Sequence, residues 1–175
     1  MKEVLISIKP KWCKLIANGQ KTIEVRKTKP KLDTPFKCYI YETKAIYKNY
    51  DGMLFTGEGK VIGEFVCDNI FPMSITYGDL NNHVAARKFP NTCLTDKQII
   101  DYLGNGKRGY GWHISDLKIY DKPKELSEFK KINRECWYAD LGLAKRDCPE
   151  CKNESCFMSR PPQSWCYVEE IDNLG

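Results

Sequence analysis

The sequence lacks several features that define large classes of protein. No apolar run approaches the roughly 20 residues that a membrane-spanning helix requires. The chain passes from Met1 directly into a strand-like pattern, without the regions of a signal peptide. It shows no internal repeat and no regular alternation of strands with helices, which disfavours a doubly wound parallel fold. These absences predict a cytoplasmic protein with no membrane segment.

Histidine is scarce and cysteine is abundant. The two histidines are His83 and His113, and His113 falls in a predicted strand, where a packed, hydrogen-bonded role is expected rather than catalysis. Nine cysteines, an odd number in a chain without an export signal, argue against a disulfide framework, because cytosolic thiols are kept reduced. Cys13, Cys38 and Cys67 lie among apolar neighbours and are expected to be buried thiols.

Positive charge is concentrated near the beginning of the chain. The net charge of the 175 residues is +5, but residues 1–31 carry nine Lys or Arg against two acids, a net +7. A localised basic segment is typical of a surface that binds phosphate. A solvated lysine-rich face is the alternative that charge alone leaves open.

Local patterns predict strands interleaved with short helices. Residues 4–8 form an apolar, β-branched run typical of a strand, and a helix is expected from Pro10 to the stop signal at residues 18–19. Residues 95–98 form a capping-box pattern that opens a second helix. Residues 112–119 are expected to form a final strand. This order predicts an α+β domain with a mixed or antiparallel, partly closed sheet.

Residues 22–27 return to a period of two, which is typical of a strand. Ile23 and Val25 point to one face, whereas Thr22, Glu24 and Arg26 share the other. A carboxylate and a guanidinium therefore stand two positions apart on the non-core face. Such a face on a small barrel is either exposed to solvent or part of a cleft.

The segment from residue 5 to residue 27 resembles the opening of ASCH domains, which consists of a strand, a helix and a G-x-K-x-x-E-x-R signature. Gly19, Lys21, Glu24 and Arg26 match the signature at every defined position. The strands at residues 59–65 and 111–114 are similar to the family's middle and closing strands, so the resemblance covers roughly residues 3–125. It implies a small PUA-like mixed or antiparallel β-barrel with short peripheral helices.

The resemblance also implies a class of ligand. ASCH domains are similar to PUA and EVE modules, which bind RNA or modified bases, so nucleic acid, RNA in the first place, or a nucleotide-like ligand is the implied partner. Some ASCH proteins deacetylate N4-acetylcytidine and a few are ribonucleases, which makes a small hydrolase using Lys21 and Glu24 the alternative. In the amidohydrolases a threonine follows the lysine by three residues. Here that position is Glu24. The amidohydrolases also use a distant glutamate, and residues 70–90, where its counterpart would be sought, contain Asp79 as their single acid.

The residues expected to contact the ligand are basic, polar and aromatic: Lys9, Lys21, Thr22, Glu24, Arg26 and Trp112. Lys21 beside an acidic group would keep its ammonium form, which suits phosphate binding. The structural alternative is that Glu24 and Arg26 form an ion pair that braces the cleft.

Four cysteines near the end of the chain have the spacing C-x2-C-x4-C-x9-C: Cys148, Cys151, Cys156 and Cys166. Four thiolates at such spacing predict a structural zinc knuckle, because they complete a tetrahedral site. An iron–sulfur cluster and reduced cysteines without metal are the alternatives, and Cys136 could replace Cys156 or Cys166. Cys166 could instead pack against the barrel. The expected organisation is an ASCH domain at residues 1–125 and a metal-binding extension at residues 126–175, which could also serve as an interaction module.

Overall fold

A computed structural model describes residues 2–48, 52, 54–80, 88–132 and 157–169 of the chain. Ten strands and two α-helices lie in these residues: β1 Lys2–Ile8, α1 Pro10–Ala17, β2 Ile23–Arg26, β3 Phe36–Glu42, β4 Ala45–Lys48, β5 Leu54–Gly57, β6 Val61–Cys67, β7 Ile70–Met73, α2 Asp96–Leu103, β8 Gly109–His113, β9 Ser115–Lys124 and β10 Trp165–Glu169. Short 3-10 helices lie at Tyr77–Leu80, Pro90–Thr92 and Leu126–Glu128. None of the described helices is long and apolar enough to cross a bilayer.

The described strands form three sheets. One has five strands in the order β10-β1-β3-β6-β9, one has three in the order β2-β8-β7, and β4 pairs with β5 alone. The five-stranded sheet is mixed, because β1 runs parallel to β3 and antiparallel to β10. Mixed sheets with two short helices confirm the α+β class.

The predicted β-barrel is not shown by this arrangement. In the part of the chain that the structure describes, no sheet closes on itself, because the strand order of each sheet has different strands at its two ends. The segment after β3 contributes a separate hairpin, β4–β5, rather than a strand that joins the larger sheet. The described strands and helices therefore form an α+β fold in which no closed barrel is shown.

The chain forms two compact units, and each has its own core. The first unit comprises Met1–Pro10, Cys38–Gly63 and Tyr120–Gly175. Its core contains apolar side chains of β1, β3, β6 and β10 together with two residues outside the strands: Leu5, Tyr39, Tyr41, Val61, Phe129, Met158 and Val168. Every residue of β1 except Lys2 is buried, so both faces of the strand are covered, which explains why its sequence is an apolar run rather than an alternation.

The second unit comprises Lys11–Lys37 and Glu64–Ile119. Its core combines apolar residues of β2 and β7 with Ile75 and the inner face of α2: Val25, Met73, Ile75, Ile99, Ile100 and Leu103. The predicted capping box is confirmed, since the Thr95 hydroxyl accepts from the Gln98 amide at 3.2 Å and the Thr95 amide donates to the Gln98 side chain at 2.9 Å. Such a cap stabilises a helix by about 1 kcal/mol.

One described strand comes from the predicted C-terminal extension. β10 pairs antiparallel with β1, with Cys166 opposite Leu5 and Val168 opposite Glu3. The side chain of Val168 is fully buried in the first unit's core. This strand is therefore an integral part of the five-stranded sheet, while the boundary at residue 125 stays a prediction.

Candidate functional site

The end of α1 determines where Lys21 lies. The amide of Gly19 donates to the carbonyl of Ile16 at 2.9 Å, and Gly19 has a φ of 75°, a left-handed conformation that favours glycine at the end of a helix. The Lys21 amide then donates to the Leu15 carbonyl at 2.9 Å. This turn directs Lys21 back against α1 immediately before β2 begins.

The Lys21 side chain is buried, and acceptors surround its ammonium group. The residue is 2% exposed, and its Nζ donates to the carbonyl oxygens of Ile23 at 2.7 Å and Thr92 at 2.8 Å. Glu24 Oε2 lies 3.1 Å from the same nitrogen. Two of these contacts are hydrogen bonds to carbonyl oxygens, and the third is an ion pair with the Glu24 carboxylate, whose Oε2 is buried without a hydrogen-bond partner among the described residues.

Glu24 connects Lys21 to Arg26. Its Oε1 lies 3.0 Å from Arg26 Nη2, while its other oxygen contacts Lys21. All three residues are buried, so the predicted ion pair exists as part of the Lys21–Glu24–Arg26 triad rather than as an exposed surface pair. Two cations and one carboxylate give the triad a formal net charge of +1.

The alternation of β2 is confirmed, but neither of its faces is open to solvent at these residues. Glu24, Val25 and Arg26 are all buried, so the polar face is enclosed along with the core face. β2 lies at one end of the three-stranded sheet, where it pairs antiparallel with β8. The polar face must therefore be covered by groups that lie far away in sequence.

Two tryptophans accompany the triad. Trp112 of β8 lies directly opposite Glu24, and directly opposed residues point to the same face of the sheet. Its ring is fully buried and meets Phe36 edge-on, with 6.0 Å between the ring centroids. Lys21 Nζ lies 5.4 Å from the centroid of Trp12, a cation–π distance. The aromatic rings thus lower the local polarity around the charges.

The other predicted contacts lie in different settings. Thr22 is half-buried. Its amide donates to the Asn91 carbonyl at 3.1 Å, and its carbonyl accepts from the Ile114 amide at 2.9 Å. Lys9 is exposed and belongs to the first unit. The structure thus brings Lys21, Glu24 and Arg26 together beside Trp112. The role of each residue as a ligand contact stays a prediction.

Thr92 is a participant that the sequence patterns did not identify. It is fully buried, its hydroxyl donates to the Phe89 carbonyl at 2.6 Å, and its own carbonyl accepts from Lys21. The next residue, Cys93, has a left-handed φ of 57°. The sequence feature that could have identified this turn is the proline at residue 90. It predicts a turn but does not indicate what the turn contacts.

Exposed lysines lie beside tyrosines at two further places in the second unit. Lys27 Nζ is 5.3 Å from the Tyr102 ring centroid, and Lys29 Nζ is 5.8 Å from that of Tyr110. Tyr110 lies opposite Arg26 in the pairing of β2 with β8. Both lysines are exposed, so they are accessible to a negatively charged ligand.

His113 follows Trp112 and points to the opposite face of β8. Its Nδ1 lies 2.7 Å from Asp68 Oδ1, which agrees with the predicted hydrogen-bonded role. This hydrogen bond lowers the pKa of Asp68 below its ordinary value. Both side chains are more than two-fifths exposed, so the pair lies at the surface.

The metal knuckle is not supported by the described residues. They contain no group of three or more His, Cys, Asp or Glu that could hold a metal ion. Cys136, Cys148, Cys151 and Cys156 lie outside the described residues, so the zinc site stays a prediction. Cys166 packs against the first unit's core, as the alternative expected, and burial raises the pKa of its thiol to about 11.

Comparisons with known proteins identify the family and the fold. No curated protein matches the chain. Crystal structures of two point mutants of ZmASCH from Zymomonas mobilis align with TM-scores of 0.57 and 0.56, and a structure of ASCH from the same organism aligns at 0.52. Each is 19% identical, and the alignments cover 96–97% of this chain and 88–92% of the other. The family model for the ASCH domain matches residues 6–124, well over half of the sequence. The chain therefore belongs to the ASCH domain family.

Proposed function

We propose that this chain binds RNA or a modified nucleotide at the Lys21–Glu24–Arg26 triad. The observation that carries the proposal is a buried cluster of two cations and one carboxylate. A cluster in which cations outnumber carboxylates favours an anionic or electron-rich ligand, such as the phosphate or the base edge of a nucleotide.

The three side chains would have different tasks in binding. Lys21 is held by two carbonyl oxygens and supplies a fixed positive potential. Arg26 carries the planar group that suits bidentate contacts to phosphate or to a base edge. Glu24 orients both cations and could also accept from an exocyclic amino group, as carboxylates do when they recognise cytosine.

The exposed lysines would extend the contact to a longer strand. Lys27 and Lys29 lie beside Tyr102 and Tyr110, so a positively charged surface there includes aromatic rings. Single-strand binders combine such surfaces with stacking worth about 1–3 kcal/mol per base. This surface favours a strand of RNA over an isolated nucleotide.

Binding fits the geometry better than hydrolysis by Lys21 does. A lysine acts as a nucleophile or base after it has lost a proton. Lys21 would then have to give up a hydrogen bond to Ile23 or Thr92, or its contact with Glu24. We therefore assign Lys21 an electrostatic task and keep the hydrolase as an outcome of the test.

The proposal is tested by the fluorescence anisotropy of a labelled single-stranded RNA over a range of salt concentrations. The logarithm of the binding constant should fall linearly with the logarithm of salt, because phosphate contacts release counterions. Lys27→Gln and Lys29→Gln should each reduce the magnitude of that slope by about 1. Arg26→Gln should weaken binding most, whereas Lys14→Gln, at an exposed position of α1, should change it little.

Two results would contradict the proposal. One is no binding, or binding that does not depend on salt, in protein whose circular dichroism shows that it is folded. The other is that Arg26→Gln and Lys14→Gln bind alike. Turnover of N4-acetylcytidine that disappears in Lys21→Met, with the fold retained, would establish the hydrolase instead.

A further inference from the structure

A basic and aromatic hollow lies in the first unit, beside β10. Its volume is about 510 Å³, within the range of about 300–1,000 Å³ that small-molecule sites occupy. Its lining combines cationic, aromatic and apolar side chains: Lys2, Lys131, Ile132, Met158, Arg160, Pro162, Trp165, Cys166 and Tyr167. All of these residues belong to the first unit, so the hollow is separate from the triad.

The walls of the hollow differ in chemistry. Trp165 and Tyr167 meet edge-on, with 5.3 Å between their ring centroids. The Met158 side chain is buried, with 4% of its surface exposed. None of the described lining residues is acidic. An apolar, aromatic interior with a cationic border fits a flat organic anion better than a metal ion or a cationic ligand.

The cations can be assigned to different tasks. Lys2 Nζ lies 3.9 Å from the Tyr167 ring centroid, and Lys2 stands opposite Glu169 in the pairing of β1 with β10. Lys2 is therefore engaged within the sheet. Lys131 and Arg160 are exposed on the border, where they can meet a ligand's phosphate.

We propose that this hollow is a second ligand site that takes a nucleoside monophosphate. Trp165 provides the surface on which the base packs, and Lys131 with Arg160 contacts the phosphate. The site stands independently of the function proposed for the triad, because it shares no residue with it.

The test uses the full-length chain labelled with ¹⁵N and adenosine 5′-monophosphate as the probe. The sequence has four tryptophans, so its indole N–H signals are few and can be assigned with Trp165→Phe and Trp12→Phe. The Trp165 signal reports the hollow, and the Trp12 signal reports the triad. Titration should shift the Trp165 signal. In the double variant Lys131→Gln/Arg160→Gln, the dissociation constant obtained from that shift should rise at least tenfold.

Controls separate the contributions of base and phosphate. Adenosine and inorganic phosphate should each bind more weakly at Trp165 than the monophosphate does. Lys122→Gln, at an exposed position of β9 in the same unit, should titrate like the unmodified protein. A Trp165 signal that does not move, or equal affinity in the folded double variant, would overturn the proposal. Equal affinity for adenosine would exclude the phosphate contact, and equal affinity for inorganic phosphate would exclude the base contact.

Discussion

At the scale of single residues, Glu24 is the most consequential side chain of the triad because one carboxylate serves two buried cations. Removing one partner from a buried ion pair typically costs about 3–5 kcal/mol, since a charge is left without compensation. Glu24→Gln should therefore reduce the free energy of unfolding by a few kcal/mol. Urea denaturation followed by circular dichroism measures this.

A matched control is available on α2. Lys97 and Asp101 form an ion pair at 2.8 Å, with 70% and 51% of their side chains exposed. Breaking it with Asp101→Asn should cost about 0–1 kcal/mol, because solvent screens an exposed pair. Equal effects of Glu24→Gln and Asp101→Asn would contradict the structural importance assigned to the triad.

Two cysteine thiols should be slow to react. Burial raises the pKa of Cys67 to about 12 and that of Cys166 to about 11. The reactive thiolate is then a very small fraction at pH 8, and it grows as the pH approaches these values. Peptide mapping by mass spectrometry after brief treatment with iodoacetamide should find both thiols largely unmodified.

The pH dependence provides the control for this prediction. Modification of Cys166 should increase steeply between pH 8 and pH 10 in protein that stays folded, because a group with a raised pKa loses its proton at higher pH. Rapid alkylation of Cys166 at pH 8 would show that its thiol is not buried as described.

At the scale of secondary structure elements, the contact of α2 with β8 depends on a glycine. A Cβ atom on Gly109 would lie 2.5 Å from Leu103 Cδ2 and 3.1 Å from the carbonyl oxygen of Arg26. Gly109→Ala should therefore force the buried Leu103 side chain to move within the core and lower stability by about 1–3 kcal/mol. Thermal and urea unfolding measure the loss.

Gly78 offers the corresponding control. A Cβ there would meet Thr76 Oγ1 at 3.5 Å, an ordinary contact, so Gly78→Ala should change stability by no more than about 0.5 kcal/mol. The close packing would be wrong if the two substitutions had the same effect. Because Gly109 also adjoins the backbone of Arg26, Gly109→Ala should weaken RNA binding as well.

At the scale of the whole molecule, the predicted zinc site can be tested without its geometry. Native mass spectrometry of freshly purified protein should find one zinc ion per chain, and Cys148→Ser should lose it, because a thiolate ligand is removed. Comparing Cys136→Ser with Cys166→Ser identifies the fourth ligand, and loss of zinc in Cys166→Ser would contradict the packed, slowly reacting thiol described for Cys166. A metal-free mass with all cysteines reduced would contradict the site, and iron in place of zinc would indicate a cluster.

Sequence patterns identified the features that depend on neighbouring residues. The apolar run of β1, the alternation of β2 and the capping box at Thr95 are set by side-chain period and by hydrogen bonds within a few residues. The ASCH signature likewise placed Lys21, Glu24 and Arg26 near one another, since all three lie within six residues. These predictions succeeded because the physical cause is local.

Features that depend on contacts between residues far apart in the sequence could not be predicted from sequence patterns. Residues 112–119 were expected to form one strand, but they contribute to β8 and β9, which belong to different sheets, and Asp116 has a left-handed φ of 45°. The sequence does not specify which sheet a strand joins, because pairing partners lie far along the chain. The same reason applies to β10, whose pairing with β1 joins the two ends of the described chain.

The sequence by itself determined the family, the two short helices and the strand that carries the charged signature. Only the tertiary structure decided that this signature is buried, because the Lys21 ammonium is enclosed by a carbonyl 71 residues away in sequence, at Thr92. An alternating strand looks the same whether its polar face meets water or another segment. Burial, and with it the strength of the electrostatic interactions in the triad, follows from contacts between β2 and segments of the second unit that are distant in sequence, such as the turn at Thr92 and strand β8.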